Sequence, residues 1–460
     1  MLEQGESSTV GAEELPLAGI RVIEFSHMVM GPSCGMILAD LGAEVIKVEP
    51  RGAGDKTRYL PGSGSGLFPA FNRNKQSVQL DIAEAADRDV ALSLIDSADV
   101  LLENFRVGKM ESMGYGYEDL AQRNPRLIYC SLKGFLSGPY GQRTALDEVV
   151  QMLGGLAYMT GPPGQPLRAG ASVNDIMGGM FGVIGVLSAL RVRERTGEGQ
   201  VINSALFENN AFLVGTHMAQ AQISGEPLRP MPTRRATWAV YDIFRDKHDD
   251  QIFVAAVSDG QWHDLCDEFD LSQLAGDPEL ETNQGRVDQR DRIHRELQAA
   301  LSRLDLAEIE EKCTRRGLPV APVNTPADLT TDAHLVASGA LASTGLPSGD
   351  QVDVPLLPLT FGGRRLGLRS DVPTPGEHNN RYRDGPADTS AADSDPGQTA
   401  TTDPFATDTD VEESKTWKDT LKKNQWAPEF LTGDDAKKYA EETAATVEEG
   451  VKETDLGNSK

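Results

Sequence analysis

The chain of 460 residues is short of cysteine, histidine and positive charge, and each shortage removes a class of function. Its four cysteines, Cys34, Cys130, Cys266 and Cys313, lie far apart and form no CxxC pair. That spacing offers neither a zinc site nor a disulfide framework, and it fits a reducing cytoplasm. The seven histidines form no HExxH and no paired ligand spacing, so no metal site is expected. Lysine and arginine number 44 against 70 acidic residues, a formal net charge of −26. Such a surface repels nucleic acid and anionic membranes. Arginine outnumbers lysine about two to one, and an acidic, lysine-poor surface suggests a salt-rich, halophilic source. No GxxxxGK[ST] phosphate loop, no GxGxxG directly after the first strand and no GxSxG elbow is present. Gly52-Ala53-Gly54 is a lone weak match. Long hydrophobic runs are also missing: the longest, Ile176 to Leu190, is short for a bilayer span and rich in glycine, so it reads as a buried core helix without membrane insertion. Met1 to Glu14 is polar and acidic, lacks the basic and apolar regions of a secretory leader, and is expected to be disordered.

What remains is the composition of a globular protein, 39% hydrophobic and 25% charged, and a chain long enough for two or three domains. Short β-rich runs alternate with helical spacing in the first half. The strands read as Ile20–Phe25, Glu44–Pro50, Ser77–Asp81, Asp99–Glu103 and Leu127–Leu132. Gly31-Pro32 is read as the break before a helix over Met36–Leu41. This pattern predicts an α/β fold: a Rossmann-like large domain with a parallel sheet and ligands gathered outside the strand C-terminal ends. The large domain is expected to cover 15–225 and to be rejoined by 331–383. Trp238–Phe244 and Gln251–Val257 read as an antiparallel pair, opening a smaller α+β domain over 226–330, and Leu318–Val323 as the way back. Residues 384–413, rich in Asp, Thr, Ser, Ala and Pro, read as a disordered acidic linker. Residues 414–460 read as a helical tail too small to build a core of its own.

Two features point to chemistry. Asp175 directly precedes the apolar, glycine-rich run, so it is either an ordinary helix N-cap or a positioned carboxylate nucleophile. Four loops assigned to strand ends, His27–Gly35, Arg51–Arg58, Asn72–Lys75 and Glu103–Arg106, carry glycines or polar side chains, and three of them concentrate arginine and lysine. In so acidic a chain that pattern suits a multiply anionic ligand such as a phosphorylated nucleotide. Local charge balance is the competing explanation.

Several blocks together resemble family III CoA-transferases: Ala39–Pro50, Asn72–Lys75, Glu103–Arg106, Asn124–Tyr129, Arg195–Gln200 and Pro319–Asn324, in order across about residues 15–380. The family includes formyl-CoA transferase, carnitine CoA-transferase and the related α-methylacyl-CoA racemase. Its catalytic aspartate precedes a glycine-rich apolar helix, which places Asp175 in that role. The resemblance implies that the Asp175 carboxylate attacks an acyl-CoA thioester, giving a mixed anhydride and CoA thiolate. The thiolate then attacks Asp175, releasing the donor acid and leaving an aspartyl-CoA thioester. An acceptor carboxylate attacks that thioester, and the returning thiolate takes the new acyl group. CoA esters are then substrates, and no permanently bound cofactor is implied. Backbone or amide donors for the oxyanions are expected from Asn174, Gly178 and Gly179.

The same resemblance places CoA against the loop carrying His27, Val29 and Met30, with Arg51 near its phosphates. Lys75 and Arg143 join as phosphate contacts, Asn104 and Phe105 as pocket residues with Phe105 flanking adenine, and Asn72 and Arg106 from the same basic loops. Formyl-CoA transferase carries glutamine where this chain has Val29, which weakens oxalate as acceptor. The segment Ser131–Phe135 through Arg143–Glu148 resembles transferases acting on short dicarboxylic acids, which implies succinyl-CoA as donor and a C4–C5 acid such as mesaconate, itaconate or malate as acceptor. Arg168 and Arg143 are expected to pair with a distal carboxylate. A racemase or epimerase would need histidine at Leu146, and leucine moves no proton. An intramolecular CoA shift within one dicarboxylic acid would use the same aspartate, and a non-catalytic nucleotide-binding protein stays as the third class. Family members are interlocked dimers. The tail, with Asn424–Gly433, resembles instead the C-terminal end of solute-binding proteins of tricarboxylate transporters.

Overall fold

The computed structural model describes residues 14–233 and 237–383; the expected disordered N-terminus, acidic linker and helical tail lie outside these residues. Six strands build the central sheet: β1 (Arg21–Phe25), β2 (Glu44–Glu49), β3 (Lys75–Gln79), β4 (Val100–Glu103), β5 (Ile128–Lys133) and β6 (Val201–Ala205). Their order is β3-β2-β1-β4-β5-β6, and every pairing is parallel. Five were legible as β-rich runs between helices. β6 was not, because its first residues are largely exposed and lack an apolar pattern.

The strands alternate between two cores. Val22, Val45, Val100, Leu102, Ile128 and Cys130 face α1 (Met30–Asp40) and the long helix α5 (Val173–Thr196). Ile23, Phe25, Ile46, Val78 and Leu101 face α2 (Ala85–Asp96) and α3 (Tyr117–Arg123). Burial on both faces is what a parallel sheet with right-handed crossovers requires. Between α3 and α5 lies α4 (Asp147–Leu153), and α6 (Leu206–Leu213) follows β6.

Two expectations need correction here. Gly31-Pro32 does not stand before the helix but sits in the first turn of α1, which starts at Met30. Proline is tolerated there because a first-turn N–H has no helical partner to lose. The run Ile176–Leu190 belongs to a helix of 24 residues that is buried on one face only; Met180, Ile184 and Leu187 are exposed on the other. By length and composition alone that helix could cross a membrane, yet its glycine face is packed into this fold.

Residues 239–320 form a separate core. The sheet β7 (Val240–Arg245), β8 (Gln251–Ala256) and β9 (Val320–Pro322) is antiparallel, with Trp262, Leu265, Ile293, Leu297 and Ile309 packed on it. The segment Leu318–Val323, expected as a connection, thus supplies this sheet's third strand. A hairpin of β10 (Leu341–Gly345) and β11 (Gln351–Pro355) follows.

Candidate active site

The strand order reverses between β1 and β4, and in a parallel sheet such a switch point is where ligands ordinarily gather, outside the strand C-terminal ends. The two loops there are tied together. His27 N donates to Asn104 Oδ1 at 3.1 Å, and Asn104 Nδ2 donates to the His27 carbonyl at 2.9 Å. The His27 and Phe105 rings stack with centroids 5.7 Å apart. Met28 is held at φ 63°, a left-handed conformation unusual for an unbranched side chain, by Thr57 Oγ1, which accepts from its N–H at 3.1 Å.

Buried carboxylates at three strand ends anchor this edge. Glu24 meets Lys75 at 2.9 Å and Lys47 at 3.4 Å, and Lys47 Nζ also donates to the Ser26 carbonyl at 2.7 Å. Glu49 pairs with Arg58 at 2.6 Å and accepts from Asp55 N at 2.8 Å. Glu103 accepts from Phe105 N at 2.9 Å and pairs with Lys133, whose Nζ donates to the Phe105 carbonyl at 2.6 Å. Buried ion pairs are tolerated when their remaining atoms are hydrogen-bonded, and here those bonds fix loop backbone. The sign of this in the sequence was a charged residue inside an otherwise apolar strand.

Asp175 lies in the first turn of α5, not at its cap. The cap residue is Ser172, whose side chain makes no capping bond. Instead Asp147, buried at the start of α4, reaches across: its Oδ2 accepts from Asn174 N at 2.7 Å and Asp175 N at 3.0 Å, while Gln151 Nε2 donates to its Oδ1. Gln151 in turn accepts from Ala169 N at 2.8 Å through Oε1. Burial, and then the charge of Asp147, push the half-buried Asp175 carboxyl up to about 7. One turn on, Gly178 and Gly179 lie against Met30 of α1, so Asp175 and the switch-point loop share a corner of the molecule.

The remaining expected residues divide. His27 is exposed along one side, and burial of the rest of its ring lowers its imidazole below the ordinary value, whereas Val29 and Met30 turn their side chains into the core. Arg51 is half-exposed and pairs with Asp87 at 2.6 Å. Arg106 and Arg143 are exposed, with Arg143 over the Tyr140 ring at 4.8 Å. Arg168 pairs with Glu148. Asn72, just before β3, and Lys75, its first residue, are fully buried. Lys75 spends its donors on Glu24, Asn72 Oδ1 at 3.1 Å and the Pro32 carbonyl at 2.9 Å, and burial pulls it down to about 8. It has no free donor for a phosphate. Gly178 and Gly179 also depart from expectation as oxyanion donors: they lie past the first turn, where the helical ladder uses backbone N–H groups. Asn174 stays eligible, since its Nδ2 is buried without a hydrogen-bond partner among the described residues. Asp147 and Gln151 went unrecognised because their partners lie across the fold.

Known proteins share this architecture. The chain is 33% identical to a succinyl-CoA:mesaconate CoA-transferase of Haloarcula hispanica, over 78% of this chain and 92% of the relative. It is 37% identical to an acetyl-CoA:oxalate CoA-transferase of Acetobacter aceti, over 72% of this chain and 86% of that one. The crystal structure of a CaiB/BaiF family protein from Brucella suis matches with a TM-score of 0.73 and 32% identity, covering 80% of this chain and 99% of its own. Residues 17–379 match the profile of CoA-transferase family III, and the chain belongs to that family.

Proposed function

We propose that this enzyme moves CoA from succinyl-CoA to a short dicarboxylic acid, with mesaconate the leading acceptor, through an aspartyl-CoA thioester on Asp175. The observation that carries the reading is a single carboxylate, kept basic by burial, in the helix turn beside the β1–β4 switch point. A carboxyl held near 7 is a stronger nucleophile than a solvated one, and water-poor surroundings protect the anhydride and thioester it forms. The relatives that act on mesaconate and oxalate support transfer between acids.

CoA is assigned to the switch point, with its adenine against the His27–Phe105 stack and Arg51 and Arg106 toward its phosphates. Arg143, exposed near the start of α4, is assigned to the distal carboxylate of the acid. Asn174 Nδ2 is the oxyanion donor. Leu146 is 62% exposed at the start of α4 and offers no acid–base group, which favours transfer over racemisation. Four free, buried thiols fit a cytoplasmic setting. The apolar surface of α5, continued by Phe212, is assigned to a second copy in a homodimer.

Succinyl-CoA incubated with mesaconate, itaconate, malate, glutarate and oxalate, read by mass spectrometry of the CoA esters, tests the substrates. Hydroxylamine or borohydride during turnover should modify Asp175. An Asp175→Ala enzyme that still transfers CoA at the normal rate would refute the mechanism.

A further inference from the structure

We infer that Asp147 is a positioning residue that takes the N-terminal amides of α5 in place of Asp175, so that the nucleophile is fixed by its backbone while its carboxylate is left free to react. This rests on Asp175 being the nucleophile. A carboxylate in a first helical turn ordinarily turns back onto the helix N-terminus, where the N–H groups and the helix dipole stabilise its charge and blunt it. Here those groups are already taken. Asp147 Oδ2 accepts from the N–H groups of Asn174 and Asp175, Val173 N donates to the Ala171 carbonyl at 2.9 Å, and Ile176 N donates to the Ser172 carbonyl at 3.0 Å. The cap side chain Ser172 stays out. Asp147 is itself oriented by Gln151, which also holds Ala169 N and so ties α4 to the loop that leads into α5.

The charges around α5 leave Asp147 as the one that acts on Asp175. On the elements packed against α5, Asp40 pairs with Arg73, Lys133 with Glu103, and Glu148 with Arg168. Glu208 accepts from Leu136 N at 3.2 Å, Cys34, Cys130 and Tyr129 are buried, and β6 carries no titratable side chain. Asp147 also raises the Asp175 carboxyl, second only to burial.

The test is kcat/KM for succinyl-CoA, with saturating mesaconate, between pH 5 and 9. In Asp147→Asn the amide oxygen still accepts an N–H but the charge is gone. The acid limb should move down by about one unit, and the plateau should fall several-fold as the carboxylate becomes less basic. In Gln151→Leu the charge stays but its orientation is lost; the plateau should fall about tenfold with the limb unmoved. A role in folding alone would lower activity without moving the limb in Asp147→Asn. A limb that coincides with that of the unmodified enzyme, or an unmodified enzyme with no acid limb in this range, overturns the inference. If Asp147→Asn fails to fold, Gln151→Leu decides: unchanged rates at every pH, or a lowered plateau matched by an equally lowered folded fraction in a thermal melt, overturn the inference, and a lowered plateau on a fixed limb in a fully folded protein supports it. Trapping at Asp175 in the unmodified enzyme is scored separately, so loss of the nucleophile reading is distinguished from loss of this one.

Discussion

Asp175 costs the folded chain stability at neutral pH. Its carboxyl titrates near 7 in the fold and near 4 when unfolded. Between those values the unfolded chain has released the proton and the folded chain has not, so stability falls as pH rises from about 4 to 7 and is flat above. Asparagine of the same shape carries no such penalty. Asp175→Asn is therefore expected to abolish transfer yet to be more stable than the unmodified enzyme, on the order of 1–3 kcal/mol at pH 8. At pH 5 the gain should shrink to less than half. Thermal melts of both proteins at the two pH values check this; an equal shift at both would mean that the carboxyl is not raised in the fold. The cause of the raised value was hidden in the sequence, because the buried position of Asp175 and its nearness to Asp147 are tertiary facts.

The contact between α1 and α5 is made by glycine. A methyl group on Gly179 would strike Ser33 Oγ and press on the Met30 carbonyl at 2.9 Å and Cys34 N at 3.0 Å. Alanine would gain about 1 kcal/mol in helix propensity. Two of the three obstacles are backbone, however, and overpacking costs about 1–3 kcal/mol, so the clash wins. Gly179→Ala is expected to lower the denaturation midpoint and, by displacing Met30, to raise KM for acyl-CoA. Gly215, which opens the helix Gly215–Ser224, is the contrast, because a methyl group added there would meet nothing within 4 Å. Gly215→Ala should be neutral or stabilising by up to about 1 kcal/mol. At this scale the sequence was informative wherever local pattern decides: five of the strands, the antiparallel pair after Trp238, and the glycine-rich helix behind Asp175. It misled wherever a long side chain chooses a distant partner. Lys75 looks like a phosphate contact in its loop, but its stem runs inward to Glu24, 51 residues away in the chain. Leu318–Val323 looks like a link because a third strand of three residues has no periodicity to read.

For the whole molecule, the decisive feature is how the chain closes. β3 is an edge strand, and its outward backbone groups would invite pairing with another chain. Residues 369–383 cover it. Gly376 N donates to Ser77 Oγ at 2.9 Å, His378 N donates to the Ser77 carbonyl at 3.0 Å, and Gln79 N donates to Asn379 Oδ1 at 2.8 Å. Arg381 pairs with Glu44 at 2.9 Å, and Tyr382 Oη donates to the same carboxylate at 2.6 Å. At about 1 kcal/mol for each hydrogen bond, the strap contributes several kcal/mol besides masking the edge. The family match ends at 379, within this strap and far before the end of the chain. A chain stopped after Arg383 keeps every bond named here, so it should fold and transfer CoA at close to the full-length rate. A chain stopped after Val372 loses them all; it should melt several degrees lower and associate through β3, which light scattering would register. If the longer truncation product were inactive while still folded by circular dichroism, the residues beyond 383 would have to take part in the reaction itself, and the assignment of catalysis to the family block alone would fall.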